Sequence, residues 1–208
     1  RSTMYQALAL EDLLDLCNIT GICGESIPER WQSMLKDWRG RVGPMRDWLL
    51  AMCHPDGEIG YFNDAAVGIA PSPRELELYA RRLGFGERPP PPSGLTWLAE
   101  SGYVRIECGG AVALLDVAPV GPDYLPGHAH ADTLSFELSL FGERVLVNSG
   151  TSLYGDSVER HRQRGTSAHN TVIVDGQDSS EVWAGFRVAR RARPVDLKIG
   201  SGEDGVVV

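Results

Sequence analysis

The chain has 208 residues, a net charge of −8 and a 42% hydrophobic content, which is ordinary for folded protein and long enough for one large or two small cores. The acidic balance argues against nucleic acid as a partner, and no apolar run approaches the ~20 residues that cross a bilayer, so membrane insertion is not expected. No signal peptide is visible, but the chain begins at Arg1 without an initiator methionine and enters a helical pattern at once, so it reads as a piece of a longer protein.

Over residues 4–17, Leu10, Leu13, Leu14 and Cys17 recur at helical spacing and predict an amphipathic helix. A second helical stretch opens at Ile27-Pro28 and runs through Trp31 and Leu35. A third spans residues 44–53 with Trp48 and Leu49. Ser72-Pro73 starts a fourth, with Ser72 as N-cap and Glu75 at the capping-box position three residues on, and Gly84 ends it. Pro89 to Pro92 is a stiff polyproline segment that neither a helix nor a central strand absorbs. It predicts a linker at 89–94 between a helical unit, 1–88, and a second unit, 95–208.

Beyond the prolines the period changes from about 3.6 to 2. Tyr103, Arg105 and Glu107 alternate with Val104, Ile106 and Cys108, the pattern of a strand with one buried face. Further strands are predicted at 111–117, 134–140, 145–148 and 171–174, with Gly142-Glu143 as a hairpin turn and Asp175-Gly176 closing the last. Short strands between Gly and Asp turns predict an antiparallel sandwich, and the chain as a whole an α+β, multidomain fold. The four cysteines, Cys17, Cys23, Cys53 and Cys108, lack CxxC spacing and read as free thiols.

Four of the five histidines fall within residues 126–175. His128, His130 and Asp132 stand at alternate positions just ahead of a predicted strand, which in an extended chain puts all three on one face. His169 and Asn170 lie in a second strand-like stretch, and antiparallel pairing of the two would gather these polar groups. A single histidine is usually solvated or hydrogen-bonded without a chemical role. Several together with a carboxylate serve as metal ligands or as proton-transfer groups. A metal-dependent glycan hydrolase with His128, His130 and Asp132 as ligands is one reading of that set.

GHAHAD at 127–132, the run LSFELSLFGERVLVNSGTSLY that follows, and TSAHNTVIVDG downstream form an ordered series of motifs. Together they resemble the C-terminal β-domain of the heparinase II/III-like polysaccharide lyases. Residues 1–16 look like the helical segment in which that family's Ser-x-x-Tyr carries a catalytic tyrosine, here Ser2 and Tyr5. PDGEIGYFNDAA at 55–66 and RELELYARRLGF at 74–85 are also similar. The resemblance implies that the helices are the last part of an α/α toroid, with a β-sandwich packed on its open end. It also implies β-elimination on a uronic-acid-containing polysaccharide, which needs a neutraliser for the uronate carboxylate, a base for C5 and an acid for the leaving oxygen. Tyr5 and His128 match the family's proton handlers; its neutralising Asn or His would lie upstream of Arg1.

Several members hold zinc with the second His of the HAH motif, an Asp on the next strand and a later His. Those positions are His130, Asn148 and His169 here, so a neutral amide stands where the family has a carboxylate. A structural zinc ion, or a metal-free hydrogen-bonded cluster of the three, is the expectation, and no organic cofactor is implied. Arg160, Arg162 and Arg164, with Arg187, Arg190, Arg191 and Arg193 further on, have forked donors that suit carboxylates and sulfates. With Asn170, the first three are the expected substrate-binding residues. The implied partner is an anionic polysaccharide or oligosaccharide, met in the periplasm or outside the cell. A non-catalytic carbohydrate-binding relative is the alternative.

Overall fold

The computed structural model describes residues 2–24, 27–202 and 205–207. Its first helix, α1 (Thr3–Cys23), buries Met4, Ala7, Leu10, Leu14 and Cys17, the stripe that the sequence spacing marks out. α1 runs past the predicted end until Gly24, whose φ of 48° closes it. The predicted second and third helices are one. A 3-10 turn at Glu29–Trp31 leads directly into α2 (Gln32–Ala51), with Pro44 inside it. An internal proline removes a ladder donor and crowds the preceding turn, at about 3 kcal/mol. Here the residue before it is Gly43, which has no Cβ to meet the proline ring, and burial of Val42, Arg46 and Leu49 holds the helix together across the break.

α3 (Pro73–Arg82) begins as predicted. Glu75 N donates to Ser72 Oγ at 3.3 Å, and Glu75 Oε2 accepts from Ser72 N at 2.8 Å, a complete capping box. Arg46 of α2 grips Glu77 of α3 with a two-pronged pair at 2.7 and 2.5 Å. Among the described residues no helix is long and apolar enough to cross a membrane.

The strands form an antiparallel meander in the order β1 (Gly94–Leu98), β2 (Tyr103–Cys108), β3 (Ala111–Asp116), β4 (Phe136–Leu140) and β5 (Glu143–Leu146). Gly109 and Gly110 both have positive φ, 57° and 84°, the conformation a tight two-residue hairpin turn demands between β2 and β3. Two small hairpins follow, β6 (Val182–Trp183) with β7 (Arg187–Val188) and β8 (Gly200–Gly202) with β9 (Gly205–Val207). The fold is therefore α+β, helices first and antiparallel sheet after.

Two further differences lie after β5. Residues 171–174 make no strand. Asn170 and Thr171 instead dock on the sheet through single bonds: Asn170 O accepts from Phe136 N, and Thr171 Oγ1 donates to Thr133 O. A short helix, α4 (Val158–Arg164), stands where the sequence showed only alternating arginines. Ser157 caps it by accepting from Arg160 N at 3.1 Å.

One apolar core lies among the helices. A second, of Met52, Phe62, Tyr103, Val112 and Leu114, is shared between the segment after α2 and the sheet. Each fully buried large side chain of this kind contributes roughly 1.5–3 kcal/mol. This second core fixes residues 52–66 against β2 and β3, and that loop carries Asn63 and Asp64 toward the histidines.

Candidate active site

The HAH segment lies in the loop between β3 and β4, in no strand. Its alternation still turns both histidines to one place, where each meets the carboxylate of Asp64. His128 Nδ1 is 2.9 Å from Asp64 Oδ2, and His130 Nε2 is 2.8 Å from Asp64 Oδ1. Asp132 does not join them. It lines a narrow cavity with Asn63 and Asp116, and burial beside Asp116 pushes its carboxyl pKa up. His128, His130 and Asp132 therefore do not form the ligand set that the hydrolase reading needs. Among the described residues, no group of three or more His, Cys, Asp or Glu side chains is arranged to hold a metal ion.

Asp64 itself is fully buried and takes both prongs of Arg160, with Nη2 at 2.8 Å and Nη1 on the other oxygen. Burial opposes its charge, but bonds from His130, Arg160 and His128 outweigh that and bring its pKa down to about 2. The remaining Arg160 donors are also engaged, Nε with Gly185 O at 3.0 Å and Nη1 with Thr151 Oγ1 at 2.9 Å. Thr151 is held there by its N donating to Ala65 O at 2.9 Å, an approach that needs Gly150, at φ 55°, since a Cβ there would stand 2.0 Å from that oxygen. Arg164, one helical turn after Arg160, donates to the carbonyls of Ala129, Ala184 and Arg187. Burial and the neighbouring Arg160 lower its pKa to about 10.

These contacts correct the expected substrate-facing arginine row. In α4, positions i and i+4 share a face, so Arg160 and Arg164 point inward and are fully buried while Arg162 points out to Glu159 at 2.7 Å. Asn170 is likewise a brace. Its Nδ2 donates to Phe136 O and Val147 O, both at 3.0 Å. Arg187, from the later arginine cluster, lines the cleft described next.

Tyr5, in the first turn of α1, brings its hydroxyl to 3.4 Å from His128 Nδ1, with ring centroids 4.9 Å apart. Burial, then a hydrogen bond with Tyr154 and the charge of Asp64, push the Tyr5 pKa well above the usual phenol range. His128 is the most open of the group, with its side chain 43% exposed. It faces an open cleft of about 980 Å³ lined also by Tyr124, Tyr154, Phe186 and Arg187. The β3–β4 loop thus delivers an imidazole to the cleft wall, and helix α1 brings a hydroxyl up against that imidazole.

Behind them lie His130 and His169, with centroids 5.2 Å apart. His169 Nδ1 is 3.1 Å from Asn148 Oδ1, so Nδ1 carries the proton and Nε2 is left as a bare lone pair. His130, bonded through Nε2 to an ionised carboxylate, is left with a bare Nδ1. Both nitrogens are buried without a partner. Two adjacent imidazole lone pairs suit a borderline divalent ion such as Zn²⁺, but Asn148 spends its oxygen on His169 and brings no negative charge.

Burial lowers the pKa of both histidines, that of His169 to about 3. The folded protein therefore keeps His169 neutral where the unfolded chain binds a proton near pH 6.5. Its contribution is fully present above pH 6.5 and is lost as pH falls toward 3, by up to about 1.4 kcal/mol per pH unit. In chelator-treated buffer the melting midpoint should drop steadily from pH 6.5 to 4.5, and His169→Gln should flatten that slope. An equally steep slope in the variant would place the acid sensitivity elsewhere.

Sequence reasoning did not single out Asp64 or Tyr154. A carboxylate set between Phe62, Asn63 and Ala65-Ala66 was the available signal, since an aspartate in an apolar run is seldom left buried without partners. His54 was missed too. It is buried at the seam with Nε2 2.8 Å from Glu137 Oε2 and Nδ1 2.7 Å from Ser139 Oγ.

No curated protein matches the chain in sequence. Among solved structures it is similar to a heparinase III, with a TM-score of 0.71 at 17% identity over 97% of this chain and 34% of that one. It is also similar to the heparan sulfate lyase HepC from Pedobacter heparinus, with a TM-score of 0.60 at 20% identity over 86% of this chain and 30% of that one. At such identity the likeness is one of fold, and the chain spans about a third of the length of these structures. Residues 90–208 match the family described as heparinase II/III-like, C-terminal, and since that match takes in more than half of the sequence and the whole β-sheet region, the chain belongs to the heparinase II/III-like family.

Proposed function

We propose that this chain forms one wall of the active site of a polysaccharide lyase that cleaves a uronic-acid-containing polysaccharide by β-elimination. The observation that carries the reading is the meeting of Tyr5 and His128, 3.4 Å apart, with His128 lining an open cleft. Elimination removes the C5 proton of the uronate and expels the 4-O-linked sugar. It needs a base and an acid close together, and preferably on rigid supports. Tyr5 stays protonated at working pH and so has a proton to give the leaving oxygen, and the imidazole of His128 accepts the C5 proton. Arg187, exposed on the cleft wall, is the cation of this wall for the anionic groups of the substrate. Such polysaccharides place the protein in the periplasm or outside the cell.

The full-length protein should convert polyuronides to products with ultraviolet-absorbing unsaturated ends. New reducing ends without that absorbance would mean hydrolysis. Saturable binding with no product would mean a carbohydrate-binding protein.

A structural zinc ion belongs to the proposal as a weakly held one. His130 Nδ1 and His169 Nε2 would be its ligands, and when bound it would brace the two segments behind His128. Two neutral imidazoles give Zn²⁺ no compensating charge, so the metal should be largely removed by dialysis against a mild chelator. Asn148→Asp should raise zinc retention by restoring an anion, as measured by elemental analysis. Stoichiometric zinc surviving dialysis in the unmodified protein would show that an anionic ligand already exists.

A further inference from the structure

We propose that Asp64 is the positioning residue of this site, a single buried carboxylate that holds His128 and His130 in opposite tautomers. The inference rests on the lyase reading for its kinetic consequence but not for its structural one. A carboxylate that faces both prongs of a buried guanidinium is held in its ionised form and has only lone pairs to offer. Every group that approaches it must therefore bring a hydrogen. His128 approaches with Nδ1, at 2.9 Å, and His130 with Nε2, at 2.8 Å. His128 is thereby the Nδ1–H tautomer with Nε2 bare, and His130 is the Nε2–H tautomer with Nδ1 bare.

The rest of the geometry agrees. Tyr5 Oη also lies near His128 Nδ1, but at 3.4 Å against 2.9 Å for Asp64, so the single Nδ1 proton goes to the carboxylate. Tyr154, on the cleft wall, donates to the backbone oxygen of Asp64 at 3.3 Å. The hydroxyl and the imidazole are consequently two separate proton carriers and not one relay. The nitrogen of His128 left for substrate is Nε2. Arg160 keeps the carboxylate from swinging, since both of its oxygens are gripped by the same guanidinium. Asp64 touches no cleft-lining atom on which chemistry occurs, so it acts through the two rings. Its role parallels that of the buried aspartate in serine proteases, whose amide replacement keeps the geometry but permits the wrong tautomer.

The test is two-bond ¹H–¹⁵N NMR of histidine-labelled full-length protein above pH 7.5, with signals assigned through His128→Gln and His130→Gln. The expected result is Nδ1–H for His128 and Nε2–H for His130 in the wild type, with at least one tautomer reversed or mixed in Asp64→Asn. The same tautomer at both rings, or an unchanged pair in the variant, would overturn the proposal. Because Asp64→Asn strands the buried Arg160, the double variant Asp64→Asn/Arg160→Gln keeps the test readable if the single one does not fold. In kinetics, the folded variant should lose 10²–10⁴-fold in kcat with KM within about threefold. A loss confined to KM would assign Asp64 to substrate binding instead. A wild-type protein that makes no unsaturated product would sink the lyase reading and leave the tautomer assignment standing.

Discussion

Tyr5→Phe should lower the formation of unsaturated product by 10²–10⁴-fold, the usual cost of losing one general acid or base. The substitution removes one oxygen and leaves the ring on α1, so its 4.9 Å packing against His128 survives and KM should move little. Tyr154, which adds to the burial that raises the Tyr5 pKa, has its own bond to Asp64 O. Tyr154→Phe is therefore the matching control, and it should cost less than Tyr5→Phe. His128→Ala should fall at least as far as Tyr5→Phe, because Ala offers no proton acceptor. Near wild-type turnover in Tyr5→Phe would remove the tyrosine from the chemistry and reduce the Tyr5–His128 contact to packing.

Arg160→Met should be among the most destabilising single changes in the chain. It leaves the apolar stem but removes both prongs on Asp64, together with the bonds to Gly185 and Thr151. Breaking one partner from a fully buried pair costs about 3–5 kcal/mol, because the carboxylate stays behind in a low-dielectric site. Arg162→Met, two residues away, breaks only an exposed, solvent-screened pair with Glu159 and should leave the melting midpoint nearly unchanged. Melting curves of the two variants make the comparison, and adding Asp64→Asn to Arg160→Met should recover part of the loss. Equal destabilisation by both arginine variants would show that burial of Arg160 contributes nothing specific.

Much of the fold was legible because it is written in local patterns. The buried stripe of α1, the Ser72 capping box and the alternation of β2 each depend on residues within one or two turns of one another. Local reading failed where a local rule was overruled. Pro44 signalled a helix start, yet α2 continues through it, since a glycine precedes it and buried residues flank it on both sides. Residues 171–174 have strand-forming side chains but no ladder, because the neighbouring Asn170 and Thr171 spend their polar groups on Phe136, Val147 and Thr133.

For the site, the sequence by itself picked out Tyr5 and His128, which the fold brings within 3.4 Å of each other, and the pair His130 and His169 behind them. Ordered motifs named those residues, and an alternation that persists in an irregular loop turned both HAH histidines the same way. Tertiary structure alone decided what governs them. Asp64 meets His128 across 64 positions and Arg160 across 96, and His54 meets Glu137 across 83. Nothing in a window of ten residues distinguishes a buried, shared carboxylate from a solvated one. The same holds for the arginines, which as a sequence alternate like substrate contacts. A four-residue helical period then places two of them inside the protein, where desolvation makes any unpaired donor costly and fully bonded partners the only stable arrangement.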